Sequence, residues 1–457
     1  MARTTVEDSA SSAAAPRRQL TLLDSTSIIV GIIIGSGIYR SSPLIAGSVP
    51  NTAWLIGVWI LGGLLSLVGA LCYAELANAY PREGGDYVYL TRALGRKMGF
   101  LFAWSQLWIV RPGSIGLLAY VFASYANQLR PVGNGPPALM AYAVLAVLLL
   151  TAINLLGLRE GKWTQNLLTV IKILGLAAIV VVGLCAASPA AAPAATMRQP
   201  DYRTAMIFVL FTYGGWNEMA YVGAEVRDPA KNILRALVLG TTAVTVIYVL
   251  VNLAFVHALG FAGVGRSQAV AADVLRTALG PWGAKAISVL ICISALGAIN
   301  GMIFTGARIY FAMGSDHRRF AWLAAWNARR DTPVRSMLVQ AAIVLALVVG
   351  FGWSKDGFET LTYFTTPVFW IMFLLVGASL FVLRYREPHA PRPYRVPLYP
   401  LTPAIFCLSS LFMVYASMSW AIDNKSYEAL WSIGLLAVGL ALSFVNGEQA
   451  RQGSVNQ

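Results

Sequence analysis

The stretch Thr26-Ser27-Ile28-Ile29-Val30-Gly31-Ile32-Ile33-Ile34-Gly35-Ser36-Gly37-Ile38-Tyr39-Arg40-Ser41-Ser42-Pro43-Leu44-Ile45 is apolar over most of its length and is broken at its centre by Gly35-Ser36-Gly37. About half the chain later the pattern returns, where Tyr213-Gly214-Gly215-Trp216-Asn217 interrupts the apolar run from Ala205 to Gly223. In hydrocarbon an unpaired amide or carbonyl costs several kcal/mol, so a break persists only where it lines a cavity enclosed by protein. Two interrupted helices in corresponding halves are the pattern of a secondary transporter with its binding site at the midplane. Either motif alone reads equally well as a small-residue packing face between helices. The pair, each with polar residues at the break, favours the site.

Working outward, the composition is that of an integral membrane protein: 57% hydrophobic, 12% charged, mean hydropathy +0.65. With about 20 apolar residues per crossing, twelve helices are expected, centred near Gly35, Leu65, Ile115, Leu148, Leu176, Gly214, Tyr248, Ile293, Leu345, Phe373, Leu411 and Leu435. Assigning alternate loops to opposite faces places 23 of the 34 Lys and Arg residues on one side and 8 on the other, with Arg40, Arg111 and Lys172 at membrane depth. By the positive-inside rule both termini are expected in the cytoplasm and the protein in the cell membrane. The net charge of +14 is thus mostly topology, and no basic stripe on a soluble domain supports nucleic-acid binding.

Residues 1–19 are poor in apolar side chains and are expected to be disordered; the apolar run after them is too long for a signal peptide. Cys72, Cys185, Cys292 and Cys407 fall in four different apolar spans, a pattern of buried packing and not of disulfides or metal ligands. Gly84-Gly85-Asp86-Tyr87 suits a tight turn into an interfacial helix, and Pro229 is placed to open a short helix. The prolines at 388, 391, 393, 397, 400 and 403 forbid a regular helix between the tenth and eleventh spans.

Gly35-Ser36-Gly37-Ile38-Tyr39, Gly69-Ala70-Leu71-Cys72-Tyr73-Ala74-Glu75-Leu76, Gly84-Gly85-Asp86-Tyr87 and Phe211-Thr212-Tyr213-Gly214-Gly215-Trp216-Asn217 together resemble the amino acid-polyamine-organocation superfamily, and within it the L-type amino acid transporter group. Ile109-Val110-Arg111-Pro112 and the segment from Tyr248 to Leu253 strengthen the likeness, which spans roughly residues 20 to 445. It implies an all-α integral membrane fold of twelve transmembrane helices, a LeuT-like five-plus-five inverted repeat with helices one and six broken at midplane. The repeats would cover 20–187 and 202–386, with two trailing helices over 399–446 and a tail over 447–457.

Each break should leave free carbonyls at one half-helix end and free amides at the start of the next, poles of roughly half an elementary charge that match a zwitterion. The substrate carboxylate is expected on the amides of Ser36, Gly37 and Ile38 and on the Ser36 hydroxyl, with Gly35 permitting close approach. The ammonium is expected on carbonyls near Ile33 and Ile34 and near Phe211, Thr212 and Gly214. By resemblance Phe211 closes over the substrate, although a plain core aromatic fits as well. Asn217 either binds substrate or ties the unwound segment, Trp216 packs, and Tyr248 bonds the first break or is purely structural. Lys172, a charge at the centre of a span, resembles a built-in cation standing where related carriers place sodium.

Glu218 departs from the group. It leaves three readings open: an ion pair with Arg40, a proton-loading site, or a contact for a cationic substrate. Arg111 and Glu75 lie near enough to span ends to snorkel as anchors. The loop from Arg130 to Pro136 has no cysteine, so no disulfide-linked heavy subunit is expected. The expectation is therefore an amino acid carrier in the lipid bilayer, sodium-independent, an exchanger or proton-coupled, preferring neutral L-amino acids, with no cofactor and no metal. Carriage of cationic amino acids or polyamines stays open, as does a sensor that binds without translocating. A membrane enzyme is disfavoured because His257, His317 and His389 are scattered.

Overall fold

A computed structural model describes residues 18–186, 200–353, 357–423 and 427–445. The expected disordered segment 1–19 and the tail 447–457 lie outside these residues except for Arg18 and Gln19, and Gln19 is held: its amide donates to the Glu225 carbonyl at 2.8 Å and its side chain to Asp331 at 2.7 Å.

The described chain is helical throughout, with α1 Leu22–Ile33, α2 Gly37–Ala46, α3 Thr52–Ala79, α4 Asp86–Leu94, α5 Arg96–Ser105, α6 Arg111–Leu129, α7 Pro136–Leu156 and α8 Leu158–Cys185 in its first half. The second half contributes α9 Tyr202–Thr212, α10 Pro229–Arg266, α11 Val270–Leu279, α12 Trp282–Asp316, α13 Val334–Phe351, α14 Gly357–Arg386, α15 Leu401–Asp423 and α16 Glu428–Val445. Among the described residues nine helices are long and apolar enough to cross a membrane. The pair α1 and α2, bent by 49° at Gly35-Ser36-Gly37, makes a tenth candidate crossing, and α16 is a shorter apolar helix.

Local chemistry sets the helix starts. Thr21 and Asp24 form a reciprocal capping box at α1, Asn51 caps α3 through the Trp54 amide, and Pro136 and Pro229 open α7 and α10 where a missing amide is harmless. The helix after Pro229 is not short: it runs 38 residues, passing a kink at Gly260 with φ of 71°. A π-helical turn over Gln106–Val110 joins α5 to α6, so the third span is one 34-residue path. The second break also differs from expectation. α9 ends at Thr212, Gly215 turns the chain at φ of 119°, and the continuation Trp216–Glu225 is a 3-10 helix instead of a second α-helical half.

Of the four cysteines, all free, Cys72 and Cys292 are buried and Cys407 is partly so, but Cys185 is exposed at the end of α8. Glu75 does not snorkel to an exposed end. It is buried, receives Arg384 through both oxygens with Arg392 at 3.5 Å, and accepts the Val396 amide at 2.6 Å, pinning the proline-rich connection onto α3.

Candidate functional site

The two breaks meet. Thr212, last residue of α9, places its hydroxyl 2.8 Å from that of Ser41 in α2, and a methyl built on Gly37 would come within 3.0 Å of Thr212. Tyr248 of α10 donates to the Ile33 carbonyl at 2.9 Å and stands 3.5 Å from the Thr212 carbonyl, bridging both broken elements. Gly215 is needed for both conformation and space, because a side chain there would meet Ile32 at 2.8 Å. Gly215→Ala is expected to cost roughly 1–3 kcal/mol from strain at a positive φ and to impair transport; a thermal melting point and uptake rate equal to wild type would refute this close fit.

Around this junction lies a cavity of about 410 Å³, lined by Gly35, Ser36, Gly37, Phe211, Thr212, Gly214 and Asn217 among others. Ile34, Ile38, Lys172 and Tyr248 are buried behind that lining. Phe211 is 36% exposed, facing the hollow instead of filling a core. Ser36 precedes α2 without capping it by its side chain, and the leading amides of α2 have no partner within their own helix, which makes this helix end an anion-seeking pole. From the break the cavity extends past Leu44, Phe208 and Trp420, away from the end where Leu20 leads into α1.

Lys172 occupies the back of the first break. Its ammonium donates to the carbonyls of Gly31 and Ile34, the latter at 2.9 Å, and Ser294 of α12 donates to Ile34 at 2.9 Å as well. Space for the lysine comes from Gly297, where a methyl would lie 2.7 Å from the ammonium nitrogen. These contacts correct one expectation. The Ile34 carbonyl is filled by Lys172 and Ser294, and the Ile33 carbonyl by Tyr248 and the Gly35 amide, so both lone pairs of each are committed and neither is left for a substrate ammonium.

Glu218 pairs with Arg111 at 2.8 Å, not with Arg40, and Thr305 of α12 brings its hydroxyl within 2.5 Å of the same oxygen. Arg111 is therefore no snorkelling anchor: it is 3% exposed on the cavity wall, with its guanidinium 5.3 Å from the Tyr221 ring. Asn217 donates to the Tyr221 hydroxyl at 3.2 Å, and Tyr221 in turn donates to Asp86 at 2.8 Å. Tyr73 gives Asp86 a second hydroxyl at 2.9 Å. Burial pushes the Asp86 carboxyl up to about 7, opposed by these two hydrogen bonds. Trp216 packs against Tyr73, Phe373 and Phe406. Sequence reasoning missed Ser294, Thr305, Tyr221 and the role of Arg111; only the isolated arginine at membrane depth signalled the last of these.

An all-helical, multi-pass membrane protein with broken elements meeting over a central hollow belongs to the class of secondary transporters. Comparison with known proteins makes the class specific. A family model described as "Amino acid permease" matches residues 20–440, and the chain belongs to that family, within the amino acid-polyamine-organocation superfamily. It is similar to b(0,+)-type amino acid transporter 1 of Mus musculus, with 28% identity over 94% of this chain and 88% of the relative. Large neutral amino acids transporter small subunit 2 of Mus musculus is 32% identical over 88% of this chain and 76% of its own length. The Serine/threonine exchanger SteT of Bacillus subtilis (strain 168) is 30% identical over 88% and 91%. The protein is accordingly an amino acid transporter and not an enzyme.

Proposed function

We propose that the chain is a sodium-independent exchanger of neutral L-amino acids, built as twelve crossings in a five-plus-five inverted repeat with both termini cytoplasmic. The observation that carries this reading is the meeting of the two breaks over the cavity, with Lys172 and not an open coordination site behind the first of them. The substrate carboxylate sits on the amides of Ser36, Gly37 and Ile38. Its ammonium faces the end of α9, where the backbone of Phe211, Thr212 and Gly214 borders the hollow. Alternating access follows from rocking the broken pair with α3 and α10 against α6, α7, α12 and α13. The names of the relatives, one a large neutral amino acid transporter subunit and another a serine/threonine exchanger, favour neutral substrates and exchange. A loop from Arg130 to Pro136 without cysteine favours action without a disulfide-linked partner.

Exchange is favoured over proton symport because the Glu218 carboxylate is committed to Arg111 and Thr305, and loading a proton there would break a buried ion pair. The test is purified protein in liposomes given a panel of labelled amino acids. Uptake should require internal amino acid, and should be indifferent to sodium and to an imposed proton gradient. Accumulation driven by a proton gradient into empty liposomes, abolished in Glu218→Gln, would replace exchange with symport.

A further inference from the structure

Asp86 lies outside the cavity lining, at the start of α4, yet one of its oxygens sets the orientation of the Asn217 amide in the cavity wall. Both the Tyr73 and the Tyr221 hydroxyls are bonded to Asp86 Oδ2. That oxygen only accepts, so Tyr221 spends its single proton on it and retains only acceptor capacity. Asn217, 3.2 Å from the Tyr221 hydroxyl, must then turn its NH₂ toward the tyrosine. Its Oδ1 is left buried without a partner on a residue that lines the cavity. The amide orientation is therefore dictated by the hydrogen-bond network.

We propose that Asp86 is a positioning residue for substrate recognition: through Tyr221 it holds the Asn217 carbonyl as an acceptor for a hydrogen-bond donor on the bound amino acid. The inference rests on the reading that the cavity takes an amino acid. An acceptor is wanted there because the Ile33 and Ile34 carbonyls are already filled. The arrangement also survives protonation of Asp86. The carboxyl's other oxygen, Oδ1, is buried and unpartnered, so a proton carried there leaves Oδ2 accepting both tyrosines. The donor is either the ammonium common to all substrates or a polar side-chain group, and a substrate panel separates the two.

Opposite substitutions along this chain of bonds make a test that packing alone does not pass. In Tyr221→Phe the Asn217 amide loses its guide, and KM should rise roughly two- to fourfold with the maximal rate little changed. In Asp86→Leu the Tyr221 hydroxyl has lost its acceptor and donates to Asn217 instead, turning the amide so that NH₂ faces the substrate. KM should then rise roughly tenfold. Adding Tyr221→Phe to Asp86→Leu should lower KM back to the Tyr221→Phe value, a rescue that cumulative damage to packing does not produce. Tyr73→Phe removes the bond outside this chain and should leave KM unchanged. A rise shared by every amino acid assigns the donor to the ammonium; a rise confined to serine, threonine, asparagine and glutamine assigns it to the side chain. The proposal is overturned if Tyr221→Phe, melting as wild type, keeps the wild-type KM, or if the double variant is worse than Asp86→Leu. Absence of any amino acid uptake by the wild type would instead refute the transport reading beneath it.

Discussion

Replacing Lys172 with alanine is expected to cut amino acid exchange by about ten- to a hundredfold. The ammonium bonds the carbonyls of Gly31 and Ile34, which the bend between α1 and α2 releases from regular helix pairing. Hydrogen bonds to a charged group contribute about 1.5–3 kcal/mol each, and a buried carbonyl left unpaired costs about 1–3 kcal/mol. Loss of the lysine therefore removes what holds the first break in its binding geometry, at a point where the two helix halves meet at 49°. A methyl on Gly297 offers an independent route to the same defect. It would stand 2.7 Å from both the terminal carbon and the nitrogen of Lys172, so Gly297→Ala should push the ammonium off its carbonyls without removing the charge. Both variants should lose transport together while remaining monodisperse in detergent. Wild-type exchange in Lys172→Ala would show that the break holds itself; loss in Lys172→Ala alone would show that Gly297 does not set the lysine's position.

What was legible in the sequence was the position of each break, because Gly35, Gly37, Gly214 and Gly215 are weak helix formers set in long apolar runs. The shape of the second was not, since ten residues from Trp216 to Glu225 are too few for an apolar pattern to separate a 3-10 from an α-helical repeat. Likewise the resemblance placed Lys172 and Tyr248 at the first break, but the chain does not show that they, with Ser294 of α12, fill the very carbonyls of Ile33 and Ile34 that were expected to face the substrate. Long-range pairing is the common gap. Glu218 finds Arg111, 107 positions away, instead of Arg40, because the helices stack side by side in an order that hydropathy does not encode. Arg308 shows the same limit: counted among loop cations from the sequence, it lies fully buried inside α12.

That arginine carries the second large effect. Arg308 donates to both oxygens of Glu225, at 2.7 and 3.2 Å, and to the Phe304 carbonyl at 2.6 Å, with both side chains of the pair 0% exposed. Removing one member leaves the other charge buried and unpaired, which costs about 3–5 kcal/mol, so Arg308→Ala and Glu225→Ala should each melt far below wild type and yield little folded protein. The pair also has a position suited to gating. The Glu225 backbone carbonyl accepts the amides of Gln19 and Leu20, so one residue gathers the lead into α1, the 3-10 segment and the scaffold helix α12 on the side opposite the cavity's extension. In the rocking motion proposed above, opening that side would part α12 from Glu225. An apolar replacement of both charges removes the desolvation penalty and the lock together. Glu225→Leu with Arg308→Met should therefore recover most of the lost melting temperature yet exchange amino acids several-fold more slowly, because the state closed on that side is no longer favoured. The discriminating measurement is labelling of a cysteine placed at Ile32, which lines the floor of the cavity, by a reagent added only to the side facing Leu20. Faster labelling in the double variant than in the Ile32→Cys protein with its charges intact identifies the pair as a gate; equal labelling and wild-type exchange would reduce it to a structural clamp.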